Sequence, residues 1–499
     1  MGTIIFDNLG KKVQGFILGL DCLIMKIKTF IHSFSSNQTI LFVIGGLIPP
    51  ALNLLFLPIY SLYLSPEEFG IYAYTNAFQS IFIVLSTLSI SSYLLRFYFD
   101  KDENDQKLMF GSIFLFLSIV NIIFLLFLLI FMPIFVPVIS STVPYKPYFL
   151  LMIATVFFEY IYIIPQVIWR VKKQALNYVI FAASRMLLIQ FFTLIMIIIF
   201  DMGIIGRYWA NLAISAVFSL LVISIIYSHS KFFLDSKIIK EALKFSIPIL
   251  PAALLGIIYN SIDKIILIQF FDLEQLGLYS VASSIAFVIL VSSLGYYKAV
   301  DPVIYENFKS PTFTETIDNI NKFQFYILFS ISLVTVLFAK EIISAIFSEP
   351  FYDAYKYLPY FLVAFYFNAT RNIVNTVLHA YKVTKLDFPI VLIALGTYLI
   401  GFIVLSKYFQ IHGALLALII SSYAGLISSI LYLKRFNELS WSIFLQSLLS
   451  AIILLIGFSN SIDLKIAYNT ELIIKILFLM IYFSLGYKFL KNRPELIPR

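Results

Sequence analysis

The side chains that could do chemistry in this sequence are charges and amides set inside apolar runs. Between 353 and 381, Asn368, Arg371, Asn372, Asn375 and His379 recur every three or four positions, which puts them along one face of a helix. An ionised side chain at the centre of a bilayer costs at least about 2.5–3.5 kcal/mol on insertion scales, so such a face either lines a wet cavity or closes against a partner. A polar seam between packed helices is the competing reading, because amides also bridge helices in lipid. A second group is Glu159, Tyr162 and Gln166 in the run 146–169 with Arg170 just beyond it on the same face, and Arg185 in the run 177–200. The hairpin between these runs turns near Lys173, 14 residues after Glu159 and 12 before Arg185. Glu159 and Arg185 therefore reach matching depths of roughly 20 Å, and a salt bridge competes with a ligand role for Arg185.

A third group, Asn260, Asp263 and Lys264, lies in the run 245–271. Neighbouring residues diverge by about 100° on a helix, so Asp263 and Lys264 are not expected simply to neutralise each other, and at least one should face a cleft or another helix. Asp263 and Glu159 are the carboxylates that could couple to an ion or form a salt bridge. Arg96 closes the run 69–98 and reads equally as an inner anchor or as a ligand. The single cysteine, Cys22, excludes a disulfide framework and a cysteine-rich metal site. No catalytic residue, metal or cofactor is expected.

These groups sit in a chain that is 61% hydrophobic and 12% charged, with a mean hydropathy of +0.95. A soluble domain carries about twice that charged fraction, so an all-α polytopic membrane protein is predicted. Apolar runs long enough to cross the bilayer number fourteen, separated by short polar breaks. Residues 1–37 carry apolar positions at helical spacing with lysines between them, the pattern of an interfacial amphipathic helix, unless translation begins at Met25. With the N-terminus inside, the inner breaks and tails hold 25 Lys and Arg. The outer side holds seven, Arg207 among them, and Arg185, Lys264 and Arg371 stay within runs. A missed span would invert every later break and erase this asymmetry. The net charge of +8 is thus explained by orientation, and no nucleic-acid partner is read from it.

The chain also repeats itself. SPEEFGIYA (Ser65 to Ala73) matches DLEQLGLYS (Asp272 to Ser280) at an offset of 207, pairing Glu67 with Glu274, Gly70 with Gly277 and Tyr72 with Tyr279. The same offset pairs Asn53 with Asn260, and each preceding run carries two prolines, Pro49 with Pro50 and Pro248 with Pro251, which predicts matched kinks. Six spans separate the copies, so both enter the membrane in the same direction, related by an axis along the membrane normal. The expected organisation is the segment 1–37, a six-helix bundle over 38–228, a second over 245–433, two added helices within 440–490 and a tail over 491–499.

The ordered set SPEEFGIYAY, LLRFY after the second span, then FSIPILP, NSIDKIIL and LGLYSVA resembles the polysaccharide transporter, or O-antigen flippase (Wzx-type), family of the multidrug/oligosaccharidyl-lipid/polysaccharide (MOP) exporter superfamily. The resemblance covers about residues 38–490. It implies two bundles in a V, as in multidrug and toxin extrusion transporters, in a bacterial inner membrane, where the charge asymmetry puts both termini on the cytoplasmic side. It also implies a substrate that is an undecaprenyl-pyrophosphate-linked oligosaccharide, moved to the periplasmic leaflet; a monomer is expected, with membrane lipids and other polysaccharide-assembly proteins as partners. NSIDK (Asn260 to Lys264) and the Arg96 region fall on the family's recurring polar motifs. The first span has no arginine, a departure from lipid II flippases that counts against a peptidoglycan precursor. Substrate ligands are then expected among Arg371, Lys264, Arg185, Asn368, Asn372, Asn375, Asn260 and Arg96. An ion-coupled drug exporter of the same fold, and a membrane glycan polymerase or ligase, are the alternatives.

Overall fold

A computed structural model describes residues 38–140, 142–308 and 310–436, with a few positions between 452 and 484. The segment 1–37, most of 440–490 and the tail 491–499 lie outside the described residues. Within them the chain is helical and forms no strand. The first half comprises α1 (Gln38–Ser61), α2 (Pro66–Thr87), α3 (Ile90–Phe97), α4 (Glu103–Ile139), α5 (Tyr145–Val171), α6 (Ala175–Ile199) and α7 (Gly203–His229). A short α8 (Ser236–Ser246) leads to the second half, α9 (Leu250–Leu267), α10 (Leu273–Asn307), α11 (Phe313–Leu337), α12 (Ala339–Ile346), α13 (Leu358–Ala380) and α14 (Asp387–Leu433).

Among the described residues nine helices are long and apolar enough to cross a bilayer, or ten when α2 and α3 count as one bent span. At 47 residues α14 is about twice the length a bilayer needs. Gln410, with φ 52° and ψ −135°, divides it into the two spans expected over 388–433. The polar stripe of α13 dilutes its hydropathy, and the helix is not among the nine. The described helices are compatible with the first twelve of fourteen spans.

Local chemistry fixes the helix starts. Ser65 accepts a hydrogen bond from the Glu68 N–H at 3.3 Å while Glu68 accepts from the Ser65 N–H at 2.9 Å, a capping box with Pro66 in the first turn. In the second copy Asp272 caps α10 through the Gln275 N–H at 2.8 Å, so both cap positions obey the offset of 207. Leu88 and Ser89, with φ of 49° and 55°, bend α2 from α3 by 45°. The prolines do not match as predicted. Pro49 and Pro50 lie inside α1, whereas Pro248 precedes α9 and Pro251 sits in its first turn, where a missing N–H breaks no helical hydrogen bond.

The halves meet where α2 packs against α9 and α10. A Cβ on Gly70 would overlap the carbonyl oxygen of Leu273, and one on Gly277 would overlap that of Pro66. Residues 66 and 273 are themselves 207 apart, so each copy places its glycine on the backbone of the other, as a twofold axis requires. Close by, the Phe69 and Phe351 rings lie 4.8 Å apart, and Ser348 N–H donates to Ser61 Oγ at 3.2 Å.

Candidate functional site

A cavity of about 300 Å³ lies between the halves, walled by α1 and α2 on one side and α9 and α10 on the other, with α7 reaching in. Two cations line it, Arg207 from the first half and Lys264 from the second, together with Asn53, Asn76 and Ser284.

Arg207 was counted above as an outer-flank cation. α7 starts at Gly203, so Arg207 lies one turn inside that end of the helix, and it is only 5% exposed. Gly203 has φ +53°, and Glu68 Oε1 accepts the Ile204 N–H at 2.8 Å, which caps the helix and sets its register. The guanidinium stacks 3.9 Å from the Tyr72 ring centre and 5.0 Å from that of Tyr60, and donates to Asn53 Oδ1 at 3.1 Å. Gln190 donates to the same oxygen at 2.8 Å, and Tyr60 donates to Gln190. Among the described residues no carboxylate pairs with Arg207. The buried guanidinium is thus held by two aromatic faces and an amide oxygen, with no counter-charge among the described residues. The available sequence signal was Asn53, singled out by the repeat.

Lys264 donates to the adjacent Asp263 at 3.2 and 3.3 Å, and buried Asp263 also accepts from Tyr279 at 2.8 Å. The two neighbours do pair, against expectation, while Lys264 faces the cavity and Asp263 meets Tyr279 on another helix, as expected. Their Cβ directions do diverge, but the four-carbon lysine stem curls back across the gap. Lys264 keeps 22% exposure and reaches the cavity, while Asp263 keeps 8%. Asn260 is exposed on α9 and does not line the cavity, unlike its repeat partner Asn53.

Arg185 and Glu159 form a partly buried ion pair inside the first half, joined by Ser215, which accepts from Arg185 at 3.0 Å. The Tyr162 ring lies 4.5 Å from the guanidinium, and its hydroxyl donates to the Ser215 carbonyl at 2.6 Å. Neither charged group is among the cavity-lining residues.

The stripe on α13 faces the second part of α14 in register. Asn368 donates to Ser422 at 3.2 Å, Arg371 lies against Gly425, and Asn375 accepts from Ser429 at 2.9 Å. All three rungs are 54 residues apart, as two parallel helices demand. Arg371 also lies 5.5 Å from the Tyr259 ring centre, while its Nη1 and the Asn368 Oδ1 have no hydrogen-bond partner among the described residues. The Asn372 carbonyl accepts from Thr376 at 3.1 Å, and His379 meets Asp387 at 2.8 Å. Arg96 pairs with Asp100 at 2.8 Å, both more than half exposed, an arrangement worth little energetically. No cluster of three metal-ligating side chains occurs among the described residues.

Solved structures share this helical fold. A lipid II flippase, MurJ, in an inward closed conformation superposes with a TM-score of 0.73 at 17% identity, over 90% of this chain and 99% of that one. An inward-facing multidrug resistance MATE transporter gives 0.62 at 16% identity, over 79% and 97%. The Vibrio cholerae MATE transporter VcmN gives 0.56 at 17% identity, over 81% and 99%. At these identities the likeness concerns the fold. No curated protein sequence matches the chain. Residues 36–308 match the family described as Polysaccharide biosynthesis protein, and the chain belongs to that family.

Proposed function

We propose that the protein is a flippase that carries an undecaprenyl-pyrophosphate-linked oligosaccharide from the cytoplasmic to the outer leaflet of a bacterial inner membrane by alternating access. Both termini are cytoplasmic and fourteen spans cross the bilayer. The observation that carries the reading is the cavity between the halves, which holds a caged arginine from one side and a lysine from the other. A pyrophosphate bearing sugars cannot enter hydrocarbon, because its charges and hydroxyls would lose every water partner. Arg207 and Lys264 offer charge-assisted hydrogen bonds in place of that water, and the neighbouring amides and hydroxyls suit sugar oxygens. The prenyl chain stays in the bilayer.

An ion-coupled drug exporter would need a carboxylate open to a cation. Glu159 and Asp263 are instead engaged by Arg185 and Lys264, which favours the anionic substrate. Deleting the gene in its host should stop surface glycan assembly and leave lipid-linked repeat units on the cytoplasmic side. Restoration by the intact gene but not by Arg207→Gln, at equal membrane abundance, supports the reading, and full export by that variant opposes it.

A further inference from the structure

The connection between the halves is built as a surface of its own. Residues 231–235 run extended along the start of α4: Lys231 N–H donates to the Lys107 carbonyl at 2.8 Å, Ser112 Oγ donates to the Phe233 carbonyl at 2.5 Å, and Asp235 N–H donates to Ser112 Oγ at 3.2 Å. A Cβ on Gly111 would overlap the Lys231 carbonyl, so only glycine admits this approach. Asp235 then caps α8 through the Lys237 N–H at 2.7 Å.

The inner face of α8 is committed. Ile238 and Ala242 are buried, Glu241 accepts from Tyr93 at 2.7 Å and pairs with Lys101 at 3.5 Å, and the Phe245 ring lies 5.4 Å from Phe97. Its other face is Lys237, Lys240 and Lys244, spaced by three and four, all exposed and without an ion pair among the described residues. Beside them the pinned backbone holds large apolar side chains outward, with Phe233 63%, Leu234 47% and Ile247 45% exposed.

We propose that this face docks on the anionic headgroups of the adjoining membrane leaflet. Lysines supply the charge complementarity, and Phe233, Leu234 and Ile247 enter the boundary between headgroups and acyl chains. A soluble partner is the poorer fit. The segment is tied at both ends to bilayer-crossing helices, α7 ending at His229 and α9 starting at Leu250, so its apolar side chains already sit at the interface. Lipid contact then fixes the one covalent connection between the two halves at the membrane surface.

The test uses the full chain in proteoliposomes, with Cys22→Ser and Phe233→Cys carrying an environment-sensitive fluorophore. Lipids spin-labelled near the headgroup should quench it at least about fivefold more in vesicles containing phosphatidylglycerol than in pure phosphatidylcholine, because even one of the three lysines near an anionic surface is worth about that factor. High salt, or Lys237→Gln with Lys240→Gln and Lys244→Gln, should remove the difference while leaving thermal stability unchanged. Quenching that is equal in the two vesicle types, or that comes only from aqueous iodide, overturns the proposal. The readout is lipid contact and does not depend on what the protein transports.

Discussion

Gly70 and Gly277 occupy equivalent places in the two repeats, and each lies against the backbone at the start of the other's helix, Gly70 on Leu273 and Gly277 on Pro66. A contact that is its own mirror under exchange of the halves can form in only one relative orientation of those halves. Carbonyl oxygens cannot move aside as the tip of a flexible side chain could, so any side chain at either glycine must push the halves apart there. Gly70→Leu and Gly277→Leu should therefore have the same effect. Each should reduce transport by more than about tenfold, with cysteines at 61 and 348, whose native serines touch, no longer crosslinking. Normal transport by either variant would mean the crossing is not needed.

The pair Arg185 and Glu159 should behave as one unit. Each side chain is largely withdrawn from water, with 21% and 14% left exposed, so removing either strands the other. In a double-mutant cycle to alanine, thermal unfolding of purified protein should give a coupling of about 1–3 kcal/mol. Simple addition of the two losses would show that they do not act together.

Much of this was legible in the sequence, for physical reasons. Hydropathy and charge asymmetry reveal spans because the bilayer forces both, and a repeat seated in a turn survives because capping and close approach tolerate few residues, as Ser65, Asp272 and the two glycines show. Depth counting across a short hairpin brought Glu159 toward Arg185, since helical rise is constant. The reach of a flexible side chain was not legible: Lys264 curls back on Asp263 despite their diverging directions. Nor was the cage around Arg207, which assembles Tyr60, Tyr72 and Asn53 from two helices more than a hundred residues away in sequence. The matched kinks failed because a proline's effect depends on where the helix begins, and α9 begins beside its prolines.

Arg371 offers a separate expectation. Its guanidinium sits over Gly425, between the rungs Asn368–Ser422 and Asn375–Ser429, with one nitrogen unpaired among the described residues. We expect Arg371→Lys to retain part of glycan export and Arg371→Ala to lose most of it, since lysine keeps the charge without the planar fork. Gly425→Val, which crowds the guanidinium, should resemble Arg371→Ala. If Arg371→Ala exports normally at matched expression, the stripe is a packing seam between α13 and α14 and nothing more.

Asp263 should govern Lys264. With Asp263→Asn the lysine loses its charged partner and is free to extend into the cavity, so binding of an undecaprenyl-pyrophosphate substrate should tighten, by about threefold to tenfold, in a titration on purified protein. Tyr279→Phe, which removes only the neutral hydrogen bond to the same carboxylate, should change it less. Weaker binding in Asp263→Asn would indicate that the carboxylate itself serves the substrate.

On the proposed function, Arg207 and Lys264 grip the pyrophosphate of a lipid-linked oligosaccharide between the halves. The most direct measurement is translocation of a fluorescent undecaprenyl-pyrophosphate-linked oligosaccharide in proteoliposomes containing only this protein, followed by a membrane-impermeant reagent that destroys label on the outer face. Intact protein should expose the inner label within the assay, unlabelled undecaprenyl pyrophosphate should compete, undecaprenol should not, and the double variant Arg207→Gln with Lys264→Gln should fall to the rate of protein-free vesicles. Undiminished translocation by the double variant, or equal competition by undecaprenol, would contradict the account.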